Sequence, residues 1–270
     1  MERVLKSTVL LLVLLGARPG TASYSSETRC YADQNLYGEW YDFNEYVPNL
    51  GLYHFDNTIE SIRETGVWMY YDHAEYNTYQ SGWVFWATGI DFSGNVPSQY
   101  ANTATSLRYA GSPYSLNDET WTVYSGESFT GHEVMGNEDA ASLGPLGDDV
   151  SSIIILGQSA WTFYDGRDFH GTNSVCLYPN FKFNDDSEDR SLHVGLYPTP
   201  SHFQISDNNI ESVRKGCWSK NVVSGRPSAP TSAPPAALGE PSRARLKIAL
   251  SRTQGLVLAP SRRLARLDGV

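Results

Sequence analysis

Along the body of the chain, apolar residues come in short runs rather than at helical spacing. Four of these runs open directly after a serine: Ile62 after Ser61, Leu107 after Ser106, Ile153 after Ser152 and Val213 after Ser212. The six residues ending on each serine are alike. They read Asp56-Asn57-Thr58-Ile59-Glu60-Ser61, Ala101-Asn102-Thr103-Ala104-Thr105-Ser106, Gly147-Asp148-Asp149-Val150-Ser151-Ser152 and Asp207-Asn208-Asn209-Ile210-Glu211-Ser212. A second phrase precedes each copy. The pattern aromatic, four residues, aromatic, one residue, glycine is read at Tyr31–Gly38, Tyr124–Gly131 and Tyr164–Gly171, and at Tyr71–Thr78 with Thr in place of Gly. Repetition of this kind sets the architecture before any local detail does. Each copy predicts a strand that folds over into a hairpin. Its aromatics brace the bend, and its glycine supplies a positive φ at little steric cost. Thr78 would be strained there, so the second hairpin is expected to turn differently.

The ends of the chain differ from the body. Arg3 and Lys6 precede an apolar run, Thr8 to Leu15, that stops at Gly20-Thr21-Ala22. This predicts a secretory signal peptide over 1–22, with an uncleaved anchor as the alternative. The run is too short to span a bilayer, and no other stretch is long and apolar enough to do so. Repeats one and two are placed at 30–65 and 66–110, and a polar stretch, 111–118 (GSPYSLND), reads as a linker. Repeats three and four fall at 119–156 and 159–218. Trp68, Trp121 and Trp161 open repeats and are read as core. Repeat four carries an excess, Asp185, Asp186, Glu188 and Asp189 followed by Pro198 and Pro200, which reads as an acidic surface loop. From 219 to 270 the chain is rich in Pro, Ala and Ser and then basic, and it is expected to be disordered. A short basic helix over 243–266 is one reading of its end.

Composition sharpens this picture. There are 17 Tyr, 7 Trp and 23 Gly, which favours many short strands with turns between them. Formal net charge is −10 although the tail is basic, so the body is more acidic still. Such a surface repels nucleic acid and suits cations. The three cysteines are Cys30, Cys176 and Cys217. A Cys176–Cys217 disulfide within repeat four is one arrangement, and three buried thiols is the other. The histidines are scattered with no pair at metal spacing and are read as surface or turn residues. No P-loop, dinucleotide fingerprint, nucleophile elbow or zinc-protease motif occurs, so no enzyme is expected.

The two phrases, paired four times in order, resemble the βγ-crystallin family over Cys30 to Trp218. SIRETGVWMYYDHAEY (61–76) and SVRKGCW (212–218) carry the likeness most closely. The resemblance implies an all-β chain of two Greek key β-sandwich domains, each of two paired motifs that exchange a strand. It also implies calcium loops of the form Asn/Asp-Asn/Asp-x-x-Ser/Thr-Ser, two sites per domain, each built across the paired motifs. Carried onto this chain, first and second positions are Asp56, Asn57, Asn102, Asp148, Asp207 and Asn208. Fifth positions are Glu60, Thr105, Ser151 and Glu211. Ala101 and Gly147 depart from the pattern at the first position, and Glu60 and Glu211 at the fifth. Thr105 and Ser151 mark the two half-sites nearest the family form. Calcium takes carboxylate, amide, hydroxyl and carbonyl oxygens, which these loops supply. The same residue types also favour turns without any metal, because they hydrogen-bond nearby backbone. Three functions therefore stand: a secreted calcium-binding module, a purely structural crystallin-like protein, and a module that meets an extracellular protein, glycan or membrane partner.

Overall fold

The computed structural model describes residues 25–184 and 191–223. The expected leader, the acidic residues at 185–189 and the basic helix lie outside the described residues, as does the tail beyond 223. The first half holds five strands: β1 (Glu27–Asp33), β2 (Tyr37–Phe43), β3 (Ser61–Tyr71), β4 (Val84–Asn95) and β5 (Ser106–Tyr109). The second holds nine: β6 (Thr120–Tyr124), β7 (Glu133–Gly136), β8 (Ser152–Leu156), β9 (Trp161–Tyr164), β10 (Ser174–Leu177), β11 (Phe181–Asn184), β12 (Ser191–Tyr197), β13 (Ser212–Lys215) and β14 (Val222–Val223).

Strand β3 belongs to both layers of the first sandwich. Its start pairs with β1, Tyr31 opposite Ser61, and its end pairs with β5, Tyr71 opposite Ser106. The register shifts between Glu64 and Gly66, where Gly66 has φ +109° and a Cβ would sit 2.8 Å from Ser26 Oγ. That bend carries the chain from one layer to the other, and β4 follows it back, pairing Phe85 with Tyr70 and Gly94 with Ile62. The far half of β4 thus completes the first motif's sheet. In return Val47, from the first motif, bridges Leu107 on the second motif's β5. The second sandwich repeats the exchange. Strand β12 of the last motif pairs with β8, while Ala140 of the third bridges Val213.

Three apolar clusters follow from this layering. One fills the first sandwich around Trp68, Tyr70 and Leu107, and another fills the second around Trp161, Phe163 and Ile153. A third lies between the sandwiches, formed by Val67, Met69, Tyr71 and Trp86 against Ile154, Leu156, Val194 and Leu196. The two middle sheets are therefore buried on both faces. This is why Val67–Tyr71 and Ile153–Leu156 read as continuous apolar runs rather than alternating ones.

Several details differ from the sequence expectation. The first aromatic phrase has Leu36, not an aromatic, at its sixth position, with φ 65°. The excess of repeat four is not wholly a loop, since β11 and β12 form a hairpin and Leu192, Val194 and Leu196 of β12 are buried in the middle cluster. The apolar alternation of Ser191–Tyr197 carries that strand into the core. Regular structure continues past 218: β14 pairs in parallel with β10, Val222 opposite Cys176, beside a Cys176–Cys217 disulfide. Leu116, in the linker stretch, is buried in the middle cluster. His202 is buried, with Nδ1 bonded to Thr199 Oγ1 at 2.6 Å.

Two side chains that carry charge in water, Arg108 and Glu64, are buried among the described residues. Arg108 on β5 is 2% exposed and spans the junction between the sandwiches. Its Nη2 donates to the carbonyls of Phe129 (2.9 Å) and Gly131 (3.1 Å), and Nη1 lies 3.5 Å from Glu133 Oε2. The rings of Tyr76 and Tyr124 stand 4.7 and 4.9 Å from the guanidinium carbon. A buried cation is tolerable only with partners of this kind, and removing one side of such a pair costs about 3–5 kcal/mol. Glu64 is buried in the first sandwich, where Tyr70 Oη donates to its Oε2 at 2.8 Å and Thr28 Oγ1 lies 2.8 Å from that hydroxyl. Burial pushes the Glu64 carboxyl up to about 8. Burial likewise raises the nearby Cys30 thiol and Tyr70 hydroxyl.

Two outcomes are expected. Arg108→Ala lowers unfolding free energy by about 3–5 kcal/mol in urea denaturation; a loss below ~1 kcal/mol would show that the junction does not depend on it. Glu64 holds its proton more tightly folded than unfolded, so its contribution is whole below about pH 4.5 and falls as pH rises toward about 8, by roughly 1.4 kcal/mol per unit. Glu64→Gln removes that slope, so the stability difference between variant and wild type grows in the variant's favour from pH 5 to 8. A difference that stays flat would refute the assignment.

Candidate functional site

The serine that ends each six-residue loop is a latch, and its geometry repeats four times. Ser61, Ser106, Ser152 and Ser212 are all fully buried. Each Oγ donates at 2.6 Å to a carbonyl in its own motif's folded hairpin: Asp33, His73, Gly126 and Gly166. Each also accepts a backbone N–H from the hairpin, from Leu36 (2.9 Å), Tyr76 (3.1 Å), Phe129 (2.9 Å) and Phe169 (3.1 Å). Those N–H groups belong to residues with positive φ, between 60° and 65°. Three copies relax the chain with a glycine two residues on, at φ +82°, +82° and +136° for Gly38, Gly131 and Gly171. The second copy does turn differently. Asn77 takes the extra left-handed residue (φ 59°), and Thr78 returns to φ −67°. The Asn77 side chain accepts from His73 N–H and donates to the Trp83 carbonyl.

The loops themselves meet in pairs within each sandwich. The second-position N–H donates to the fourth-position carbonyl of the partner loop, reciprocally: Asn57 to Ala104, Asn102 to Ile59, Asp148 to Ile210 and Asn208 to Val150, at 2.9–3.3 Å. All four second positions have φ between 53° and 61°, which Asn and Asp tolerate best among residues with a side chain. The fourth positions, Ile59, Ala104, Val150 and Ile210, are buried. The fifth-position N–H donates to the tyrosine that starts the same motif's hairpin: Glu60 to Tyr31, Thr105 to Tyr71, Ser151 to Tyr124 and Glu211 to Tyr164, at 2.7–2.9 Å. These bonds place each fifth side chain between its own hairpin and the first two residues of the partner loop. Four half-sites result, one per motif.

Their contents differ. In the first, Glu60 Oε1 accepts from Asn102 Nδ2 at 2.7 Å. In the second, Thr105 follows Ala104, whose carbonyl accepts the Asn57 N–H, and Asn57 Nδ2 donates to Asp56 Oδ2 at 3.1 Å. In the third, Ser151 Oγ stands 2.7 Å from Asp207 Oδ1 and 3.3 Å from Asn208 Oδ1. Glu127, in the hairpin beside it, has its carboxyl raised by burial and then by the charge of Asp207. In the fourth, Arg167 Nε donates to Glu211 Oε2 at 2.7 Å, which lowers the Glu211 carboxyl. Asp148 is raised by its hydrogen bond with Glu211.

The structure therefore brings Ser151, Asp207 and Asn208 together, and Asp148 with Glu211. It sets Glu60 on Asn102 and keeps Asp56 with Asn57. The sequence reading missed Glu127 and Arg167, which stand at the same place in their hairpins, three residues after Tyr124 and Tyr164, where the other motifs have Gln34 and Ala74. Aligning the aromatic phrases column by column would have exposed that position as variable. Among the described residues, no three His, Cys, Asp or Glu side chains converge as a metal cluster. A calcium site here would thus draw on amide, hydroxyl and carbonyl oxygens as well as carboxylates.

No family model matches the chain, and no curated protein matches it. Solved structures do. Geodin, a βγ-crystallin from Geodia cydonium, is 18% identical with a TM-score of 0.51, over 71% of this chain and 99% of geodin. A βγ-crystallin from Ciona intestinalis is 22% identical over 36% of this chain and 98% of its own, with a TM-score of 0.27. Protein S complexed with calcium is 15% identical over 71% and 99%, with a TM-score of 0.25. The likeness to geodin shows the fold.

The latch yields its own test. Ser152→Ala leaves the Phe129 N–H and Gly126 carbonyl without their partner inside the protein, at about 1–3 kcal/mol per unsatisfied group. A loss of at least ~2 kcal/mol in chemical denaturation is expected, and a loss under ~0.5 kcal/mol would show that the hairpin holds without it.

Proposed function

We propose that this chain, which has the βγ-crystallin fold, is a non-enzymatic calcium-binding protein whose principal site is the third half-site, at Ser151, Asp207, Asn208 and Glu127. The observation that carries the proposal is the 2.7 Å approach of Ser151 Oγ to Asp207 Oδ1, with Asn208 Oδ1 at 3.3 Å. A hydroxyl, an amide oxygen and two carboxylates gather there, and a hard dication suits that donor set. Calcium would also relieve the mutual charge of Glu127 and Asp207, which stand close enough for one to raise the other. The roles of the residues are to bind and to stiffen: the ion would join the third motif's hairpin to the fourth motif's loop across the sandwich.

A structural role is favoured at the first and fourth half-sites. There the group on the fifth-position carboxylate is a nitrogen donor, Asn102 Nδ2 on Glu60 and Arg167 Nε on Glu211, whereas the partner of Asp207 is a hydroxyl that can itself ligate. The second half-site keeps the hydroxyl of Thr105, but Ala74 adds no side-chain oxygen from its hairpin. The charged and apolar start of the chain, Arg3 to Leu15, supports secretion, and outside cells calcium sites of about 10⁻⁴–10⁻³ M are filled.

Calorimetric titration of calcium into the chelator-treated protein should give saturable binding. With Kd in that range, ~10 mM calcium adds about 1.4–2.7 kcal/mol of stability. Ser151→Ala and Asp207→Asn should each remove most of the heat and of the rise in melting temperature. Absence of heat together with an unchanged melt would leave the loops as turn chemistry alone.

A further inference from the structure

We infer that Arg167 is a built-in cation: its guanidinium occupies, in the fourth half-site, the place that a metal ion would take in the third, so this half-site is closed to metal by a side chain of the same motif. The third and fourth half-sites are two halves of one loop pair related by the internal repeat. In both, a fifth-position oxygen side chain faces the first two residues of the partner loop, and a hairpin residue three after the tyrosine stands beside it. In the third motif these are Ser151, Asp207 with Asn208, and Glu127. In the fourth they are Glu211, Asp148 and Arg167. The same backbone bonds hold both, Ser151 N–H to Tyr124 and Glu211 N–H to Tyr164, Asn208 N–H to Val150 and Asp148 N–H to Ile210. Only the side chains differ. The third half-site gathers carboxylates, whereas the fourth gathers two carboxylates and a guanidinium, with Nε 2.7 Å from Glu211 Oε2. Arg167 opens the short turn Arg167–Phe169, in which Asp168 has φ 53° and the Phe169 N–H is latched to Ser212, so its backbone is held while its exposed side chain reaches Glu211.

An ion pair with one partner this open to water contributes little to stability, because solvent screens it. Its consequence is selectivity. A metal ion entering the fourth half-site would have to displace a tethered cation and would meet its repulsion, while the third half-site a few residues away is unaffected. The second sandwich should therefore hold one ion, not two. The inference extends the calcium reading above, yet the two can fail separately.

Arg167 is 66% exposed, so substituting it disturbs no core. Arg167→Glu gives the fourth half-site the hairpin residue of the third, and Arg167→Gln removes the guanidinium without adding a carboxylate. Terbium(III), an oxygen-seeking probe of calcium sites, is titrated into each full-length protein and read by aromatic-sensitised luminescence. The expected result is one additional ion per chain in R167E relative to wild type, abolished again by Glu211→Gln in the same background. R167E should also melt lower than wild type in chelator, since three carboxylates then face one another, and recover with calcium. R167Q should show the gain in ion binding more weakly. Wild type and R167E binding the same number of ions would overturn the inference while leaving calcium binding at Ser151 standing. Wild type binding none and R167E binding one would uphold it and overturn the calcium reading. No binding by either protein would overturn both.

Discussion

Everything in this molecule hangs on a buried serine hydroxyl used twice. Each latch serine gives its proton to a hairpin carbonyl and takes a backbone N–H from a residue held at positive φ. Left-handed backbone at Leu36, Tyr76, Phe129 or Phe169 is costly for a side chain of that size. It persists only because neighbouring structure over-determines it. The latch supplies that determination from a strand far along the chain, so the hairpin's geometry depends on that strand. Local turn and long-range pairing thereby share one hydroxyl. The fifth-position N–H, bonded to the motif's leading tyrosine, is the neighbouring rung of the same ladder.

Strand exchange explains why the motifs come in pairs. A single motif lacks one strand of its own sheet; the partner provides it, by the far half of β4 in the first sandwich and by β12 in the second. The pairing also puts the two loops back to back, and reciprocal N–H to carbonyl bonds lock them. The sandwiches then share a third cluster, which buries the outer faces of the two middle sheets. Arg108 sits in that junction with its charge met by carbonyls, Glu133 and tyrosine rings. Apolar burial there supplies affinity without direction, whereas a buried guanidinium with fixed acceptors accepts few arrangements. Both kinds of contact join the sandwiches at this junction.

The repeat, the serine latch and the deviant second hairpin were legible because each rests on local chemistry: a hydroxyl that bonds backbone, an Asx that tolerates positive φ, a glycine that does so better. The fold class was legible through their fourfold recurrence. What escaped the reading depended on partners distant in sequence. Ser191–Tyr197 follows an acidic stretch, and nothing nearby says that it becomes a core strand of another motif's sheet. Val222 and Val223 lie in what reads as the head of a low-complexity tail, and only the neighbouring β10 and the Cys176–Cys217 bridge make them a strand. Arg108 reads as an ordinary strand cation, since its acceptors are supplied by a hairpin of the next motif. Leu36 fills the second aromatic place of the first phrase, while its neighbour Tyr37 points to solvent.

The loops divide into positions that the fold claims and positions that it leaves free. The second residue must accept positive φ, the fourth must fill the core, and the sixth must latch the hairpin. Asn57, Asn102, Asp148 and Asn208 would be favoured at their places with no metal in prospect, so their presence argues nothing about calcium. The same holds for Ile59, Val150 and the four serines. The informative positions are those with no such duty: the first and fifth residues of each loop, and the hairpin residue three after the tyrosine. Across the motifs, that hairpin residue and the fifth residue are Gln34 with Glu60, Ala74 with Thr105, Glu127 with Ser151 and Arg167 with Glu211. One backbone frame thus presents an amide and a carboxylate, a methyl and a hydroxyl, a carboxylate and a hydroxyl, and a salt bridge. These positions can change without touching the latch, the core or the strand order, so one fold carries half-sites of different charge and donor content.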